Sequence, residues 1–95
     1  MIYTVKFREE ALKEWHNLDK TIQQQFANKL KKCTDNPHIE SARLRGMKDC
    51  YNIKLGSSGF RLVYEVIDDV LIIAVVAVGK RDRKAVYTLA SDRLR

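Results

Sequence analysis

Four residues in the second half of this 95-residue chain have side chains suited to work on a phosphodiester: Lys54, Arg61, Arg81 and Tyr87. A lysine takes a proton from a hydroxyl when neighbouring positive charge disfavours its protonated form. Arginines hold the charge that develops on a phosphorane. A tyrosine beside basic residues stacks on a nucleobase, worth about 1–3 kcal/mol. The set amounts to a site only if the fold brings it together, so the elements that carry it come next.

Tyr51, Ile53 and Leu55 alternate with Asn52 and Lys54, then Gly56-Ser57-Ser58-Gly59 forms a four-residue turn before a strand from Phe60 to Ile67. A simple hairpin sets Leu55 against Phe60, Lys54 against Arg61, Ile53 against Leu62 and Tyr51 against Tyr64. One face is then apolar, and on the other two cations stand opposite each other. Like charges at directly opposed positions cost a sheet some tenths of a kcal/mol, up to about 1. Asp68-Asp69 reads as a two-residue turn into a buried strand from Val70 to Val78, which places Arg61 against Val76 and brings Gly79, Lys80 and Arg81 out beside it. A one-residue slip would put Lys54 and Arg61 on the wrong faces.

The remaining elements follow from periodicity. Ile2 to Phe7 alternates as a strand. Ala11, Leu12, Trp15 and Leu18 have helical spacing, and Ile22, Phe26, Leu30 and Cys33 continue it in a second helix with Asp19 as its cap. Thr34-Asp35-Asn36-Pro37 ends that helix, and an irregular connection with Arg43, Arg45 and Gly46 follows. Val86, Leu89, Ala90 and Arg93 restore helical spacing at the C-terminus, with Tyr87 off that face. The alternative for Tyr87 is a helix tyrosine packed against the sheet rim. The order β-α-α-β-β-β-α predicts an α+β fold: a mostly antiparallel four-stranded sheet with two N-terminal helices and a C-terminal helix, one domain over residues 1–95.

Charge agrees with a polyanionic partner. The chain has 18 Lys+Arg against 12 Asp+Glu, a net charge of +6. Lys80, Arg81, Arg83 and Lys84 fall close together, near the start of the C-terminal helix. Cations there oppose the macrodipole, whereas the free N–H groups suit phosphate. The competing reading is a solvated surface that keeps the protein soluble.

Other chemistries find little support. Cys33 and Cys50 form no metal-ligand spacing and read as reduced structural thiols, so no metal or cofactor is expected. The start resembles no secretory leader, and the longest apolar run is about half of the ~18 residues of a membrane span, which predicts a cytoplasmic protein with no membrane partner. No phosphate-binding glycine loop occurs. His16 reads as exposed, His38 as a lone structural histidine, Ser57-Ser58 as turn chemistry, and Glu9, Glu10 and Glu14 as a solvated helix face.

Leu44-Arg45-Gly46-Met47, Cys50 to Leu55, Ser57 to Tyr64 and Val78 to Arg83, with Ala11 to Trp15 near the start, resemble the RelE family of bacterial toxins in order and spacing. The resemblance spans essentially the whole chain. It implies a ribosome-dependent endoribonuclease that cuts mRNA in the A site and stops translation. It also implies a RelB-type antitoxin that neutralises the toxin and, in complex with it, represses their operon, so that operator DNA is reached only through the complex. Lys54, Arg61, Arg81 and Tyr87 match family positions for catalysis or substrate binding. Arg45 and the basic residues around Arg83, with Lys80 and Lys84, match surfaces that contact ribosomal RNA. One departure is Asn52, where the well-studied branch has a second lysine. With no charge there, stabilisation of the phosphorane and leaving group rests more on Arg61 and Arg81.

Two other function classes fit a small basic protein: a toxin of the same fold that inhibits DNA gyrase without nuclease chemistry, and a plain nucleic-acid-binding module. The convergence of Lys54, Arg61 and Tyr87 favours the nuclease, because a non-catalytic binder has no need of it.

Overall fold

The computed structural model describes residues 2–80 and 85–94. Its elements are β1 (Thr4–Phe7), α1 (Glu9–His16), α2 (Lys20–Cys33), β2 (Cys50–Leu55), β3 (Phe60–Ile67), β4 (Ile72–Lys80) and α3 (Ala85–Arg93), the expected order. The strands form one sheet in the order β1-β4-β3-β2. The two hairpin pairings are antiparallel, and β1 runs parallel to β4. The sheet is therefore mixed, with β1 reaching β4 through a crossover that carries α1 and α2.

The two faces hold separate apolar clusters. On one, α1 and α2 bring Ala11, Phe26 and Leu30 onto Tyr51, Ile53, Leu62, Tyr64, Ile73 and Val75, with Trp15 tilted against Phe7 at 5.1 Å between centroids. On the other, Val86 and Ala90 of α3 cover Cys50, Val63, Val76 and Ala77. Leu89, expected on the buried side of α3, is instead exposed; the helix buries the narrow Val86/Ala90 stripe, with Tyr87 packed at its margin. Asp19 stands at the start of α2 without a side-chain capping bond. The joint is held from the other direction, because Gln23 Nε2 donates to Trp15 O at 2.8 Å and Leu18 O at 3.3 Å.

The first hairpin has the expected register in full, from Leu55 opposite Phe60 to Tyr51 opposite Tyr64. Gly59, with φ of 77°, closes it in a left-handed conformation that favours glycine. The second hairpin differs. Its connection is a 3-10 turn over Asp68–Val70 followed by Leu71 at φ 54°, so β4 begins at Ile72 and Val70 is exposed. Further along, Tyr64 faces Val75 while Val63 faces Ala77, leaving Val76 as the extra residue of a bulge. The longer turn and the bulge together move Arg61 from Val76 to Gly79.

The bulge also shifts parity, so that Val75 and Val78 face α1 and α2 while Val76 and Ala77 face α3. Two charged side chains take up backbone groups beside it. Arg93 Nη1 donates to Val76 O at 2.9 Å, and Val78 N donates to Glu14 Oε1 at 3.1 Å. Glu14 and Arg93 form a two-pronged pair at 2.8 and 3.0 Å, and Arg8 Nη1 closes the group on Arg93 O at 3.1 Å. Glu14 is thus not part of a solvated face but ties α1 and α3 to β4. Its place between Ala11 and Leu18, three and four residues away on the apolar stripe, was the signal.

Candidate nucleic-acid interface and cleavage site

Lys54, Arg61 and Gly79 lie side by side across β2, β3 and β4. All three belong to the α3 side of the sheet, because their strand neighbours Ile53, Leu62 and Val78 belong to the opposite core. Lys54 is exposed and Arg61 half-buried. The row ends in a residue without a side chain, and a Cβ at Gly79 would meet nothing within 4 Å. Among the described residues, therefore, no side chain fills the end of the row at Gly79.

Arg61 itself is incompletely satisfied. Nη1 donates to Phe60 O at 3.1 Å, while the buried Nε has no hydrogen-bond partner among the described residues. A buried unpaired donor on a cation costs about 1–3 kcal/mol or more, and an anionic oxygen in the adjoining space would relieve it. The row therefore combines like-charge crowding, an orphaned donor and a vacant neighbour position.

Tyr87 is half-buried on α3 and packs at the margin of the cluster formed by Val63, Val76 and Ala77. It lies on the same side of the sheet as Lys54 and Arg61, and part of its ring is used in packing. Arg45 is exposed in the segment before β2, where it lines a cavity of about 690 Å³ with Arg43, Lys48 and Glu40. Leu44 and Met47 anchor that segment to the α3-side cluster. Lys80 is on the other side: it stands opposite Phe60, with Nζ 5.5 Å from the ring centroid. Arg81, Arg83 and Lys84 lie outside the described residues.

His38 has partners that sequence spacing could not place. Asp68 Oδ1 accepts from His38 Nε2 at 2.9 Å and from Tyr3 OH at 2.7 Å, and His38 Nδ1 lies 2.8 Å from Tyr51 OH. The carboxylate is acceptor-only, so Nε2 carries the proton and in the neutral ring Nδ1 accepts from Tyr51. The bond from Tyr3, then that from His38, holds the Asp68 carboxyl below its ordinary value. This chain fastens the connection after α2 to the β3–β4 turn. Neither thiol is activated: burial, with help from Glu65 and Asp49, pushes Cys50 up to about 11, and burial raises Cys33. Among the described residues no group of three His, Cys, Asp or Glu is placed to hold a metal, and no helix is long and apolar enough to cross a membrane.

The family described as ParE toxin of type II toxin-antitoxin system, parDE, matches residues 5–85. A RelE-like toxin protein of Escherichia coli is 76% identical over 95 residues, covering 100% of both chains. The mRNA interferase toxin RelE of Escherichia coli K12 is 50% identical over 94 residues, covering 99% of both. Among solved structures, a doubly arginine-to-alanine variant of E. coli RelE in the free state superposes with a TM-score of 0.92 at 47% identity, covering 100% of each chain. RelE in the intact E. coli RelBE toxin–antitoxin complex gives 0.82 at 51% identity, covering 85% of this chain and 99% of that one. The chain belongs to the RelE/ParE family of type II toxins, on its RelE branch.

Proposed function

We propose that this toxin is a ribosome-dependent endoribonuclease that cuts mRNA in the ribosomal A site. The observation that carries the reading is the Lys54–Arg61–Gly79 row, in a chain half identical to a named mRNA interferase. The row suits one reaction. Lys54 Nζ takes the proton of a 2′-hydroxyl, the 2′-oxygen attacks the adjacent phosphorus in line, and the bond to the 5′-oxygen breaks. The products are a 2′,3′-cyclic phosphate and a 5′-hydroxyl, the latter taking up one proton. Arg61, with its free Nε and the open space over Gly79, holds the phosphorane oxygens. Arg81 adds charge stabilisation at the leaving oxygen, since a guanidinium holds its proton too tightly to serve as an ordinary acid. Tyr87 stacks on and orients a base.

Among the described residues the row Lys54–Arg61–Gly79 contains no histidine or carboxylate, the usual proton-transfer groups. Such a site gains most when another body holds the RNA in attack geometry, where effective molarities reach about 10⁵–10⁸ M. Dependence on the ribosome follows from that weakness. Arg45, Lys80, Arg83 and Lys84 contact ribosomal RNA around the site. A RelB-type antitoxin, the partner seen with the E. coli relative, silences the toxin by covering or displacing the cationic row, and their complex represses the operon. Toxin and antitoxin act in the cytoplasm.

The test has three arms: mRNA alone, mRNA on programmed ribosomes, and gyrase with supercoiled DNA. Cutting on ribosomes and little on free mRNA is the expected result. Equal cutting in both RNA arms would remove the ribosome dependence, and gyrase inhibition without RNA cleavage would replace the reading altogether.

A further inference from the structure

β2 is an edge strand, and its outer rim is only partly covered. Cys50 O accepts the N–H of Leu44 from the preceding segment. Because the N–H and C=O of a strand residue point to one side, the main chain at Asn52 and Lys54 is turned outward as well. Two adjoining cavities of about 300 and 370 Å³ run along this rim between β2 and α2. Lys29 and Lys54 border both, and Lys32 and Asn52 border the first. Among the described residues no aspartate or glutamate lines either one. Lys29 and Lys32 are exposed on α2, and among the described residues neither they nor Lys54 forms an ion pair.

Among the described residues these three lysines have no acidic partner, and like charges around one groove repel one another. One of the three, Lys54, is also the first member of the cleavage row. A polyanion reaching Lys54 from the sheet face continues over the β2 rim into this groove. We infer that the α2–β2 groove is a track for single-stranded RNA, with Lys29 and Lys32 seating phosphates of the chain that passes through the cleavage row. Lys32 lines the same cavity as Asn52, so the helix supplies positive charge beside a strand position that has none. The bridge between Arg43 and Tyr51 takes up the rim as far as Asn52, and beyond it the outward N–H of Lys54 adds an uncharged donor. This inference rests on the ribonuclease reading, and Lys29 and Lys32 act in it as positioning residues.

The experiment compares the full-length toxin with Lys29→Ala/Lys32→Ala and with Lys13→Ala/Lys20→Ala, which removes equal charge from exposed sites elsewhere. Binding of a labelled single-stranded RNA 12-mer is titrated over a range of KCl. Each lost phosphate contact lowers the salt slope by about 0.7, so the groove variant should show a slope smaller by about 1.4 and weaker binding at low salt, with the control near wild type. On programmed ribosomes the groove variant should raise KM more than it lowers kcat. Lys32→Arg should retain wild-type behaviour, and Asn52→Lys should rescue Lys32→Ala by restoring charge to the shared cavity.

A groove variant matching the control in affinity and salt slope would overturn the inference. Preferential binding of an oligoglutamate peptide of matched charge would also overturn it, in favour of an acidic protein segment. The binding titration decides the groove whether or not the wild type cuts RNA, and wild-type cleavage on ribosomes separately decides the reading beneath it.

Discussion

Lys54 and Arg61 are direct cross-strand neighbours on β2 and β3, two cations held side by side on the face that carries α3. Opposed like charges weaken a sheet, so the pair is an arrangement that folding alone does not favour. Lys54→Ala is expected to separate function from stability. Cleavage on ribosomes should fall at least ~100-fold, the usual range for a lost proton-transfer group, while stability in urea should hold or rise by up to about 1 kcal/mol. Parallel loss of stability and activity would show that the lysine has a structural role.

Gly79 completes the row, and its open surroundings make it a second point of attack. A valine there suits a strand, and its Cβ meets nothing within 4 Å among the described residues, so Gly79→Val should leave the urea midpoint unchanged or higher. Its side chain would occupy the space beside Arg61 where a phosphate belongs, and cleavage should drop at least tenfold. Full activity in a well-folded Gly79→Val protein would place the phosphate elsewhere.

The Glu14–Arg93 pair is largely shielded, with side-chain exposures of 24% and 14% respectively. It also satisfies Val76 O and Val78 N beside the β4 bulge. Removing one partner strands the other and reopens those backbone groups. Arg93→Ala should lower stability by about 2–3 kcal/mol, read as a lower urea midpoint at constant slope. Glu14→Gln, which keeps an acceptor for Val78 N–H, should lose less. A neutral Arg93→Ala would mean that solvent serves the bulge equally well.

Acid stability tests the Tyr3–Asp68–His38 chain. The folded Asp68 carboxyl is held below its ordinary value, first by the bond from Tyr3 and then by that from His38. A depressed folded value gives stability that is complete above the unfolded value of about 3.9 and disappears as pH falls through the folded one. Tyr3→Phe removes the larger cause, so its deficit against wild type should be constant from about pH 5 to 8 and shrink below about pH 4. A deficit unchanged down to pH 2 would exclude the bond to the ionised carboxylate as its source.

Much of this arrangement was legible in the sequence where local pattern decides it. The alternation of Tyr51 to Leu55 with Phe60 to Tyr64 around a four-residue glycine turn sets the β2–β3 register, and with it the Lys54–Arg61 pair. The β3–β4 register was not legible. Leu71 adopts a left-handed conformation without being glycine, and Val76 bulges within a run of apolar residues that looks alike on either parity. Those two features carry Arg61 from Val76 to Gly79, which makes the site more open than expected. Spacing on the apolar stripe marks Glu14 as inward-facing, but which residue it meets, like the pairing of His38 with Asp68, depends on the finished packing.

The most direct test of the central claim is to map the ends left on mRNA from programmed ribosomes treated with wild type or Lys54→Ala. The account predicts 2′,3′-cyclic phosphate and 5′-hydroxyl ends inside the A-site codon for wild type, and almost none for Lys54→Ala. Intact mRNA with wild type, or the same ends at the same rate with Lys54→Ala, would contradict it.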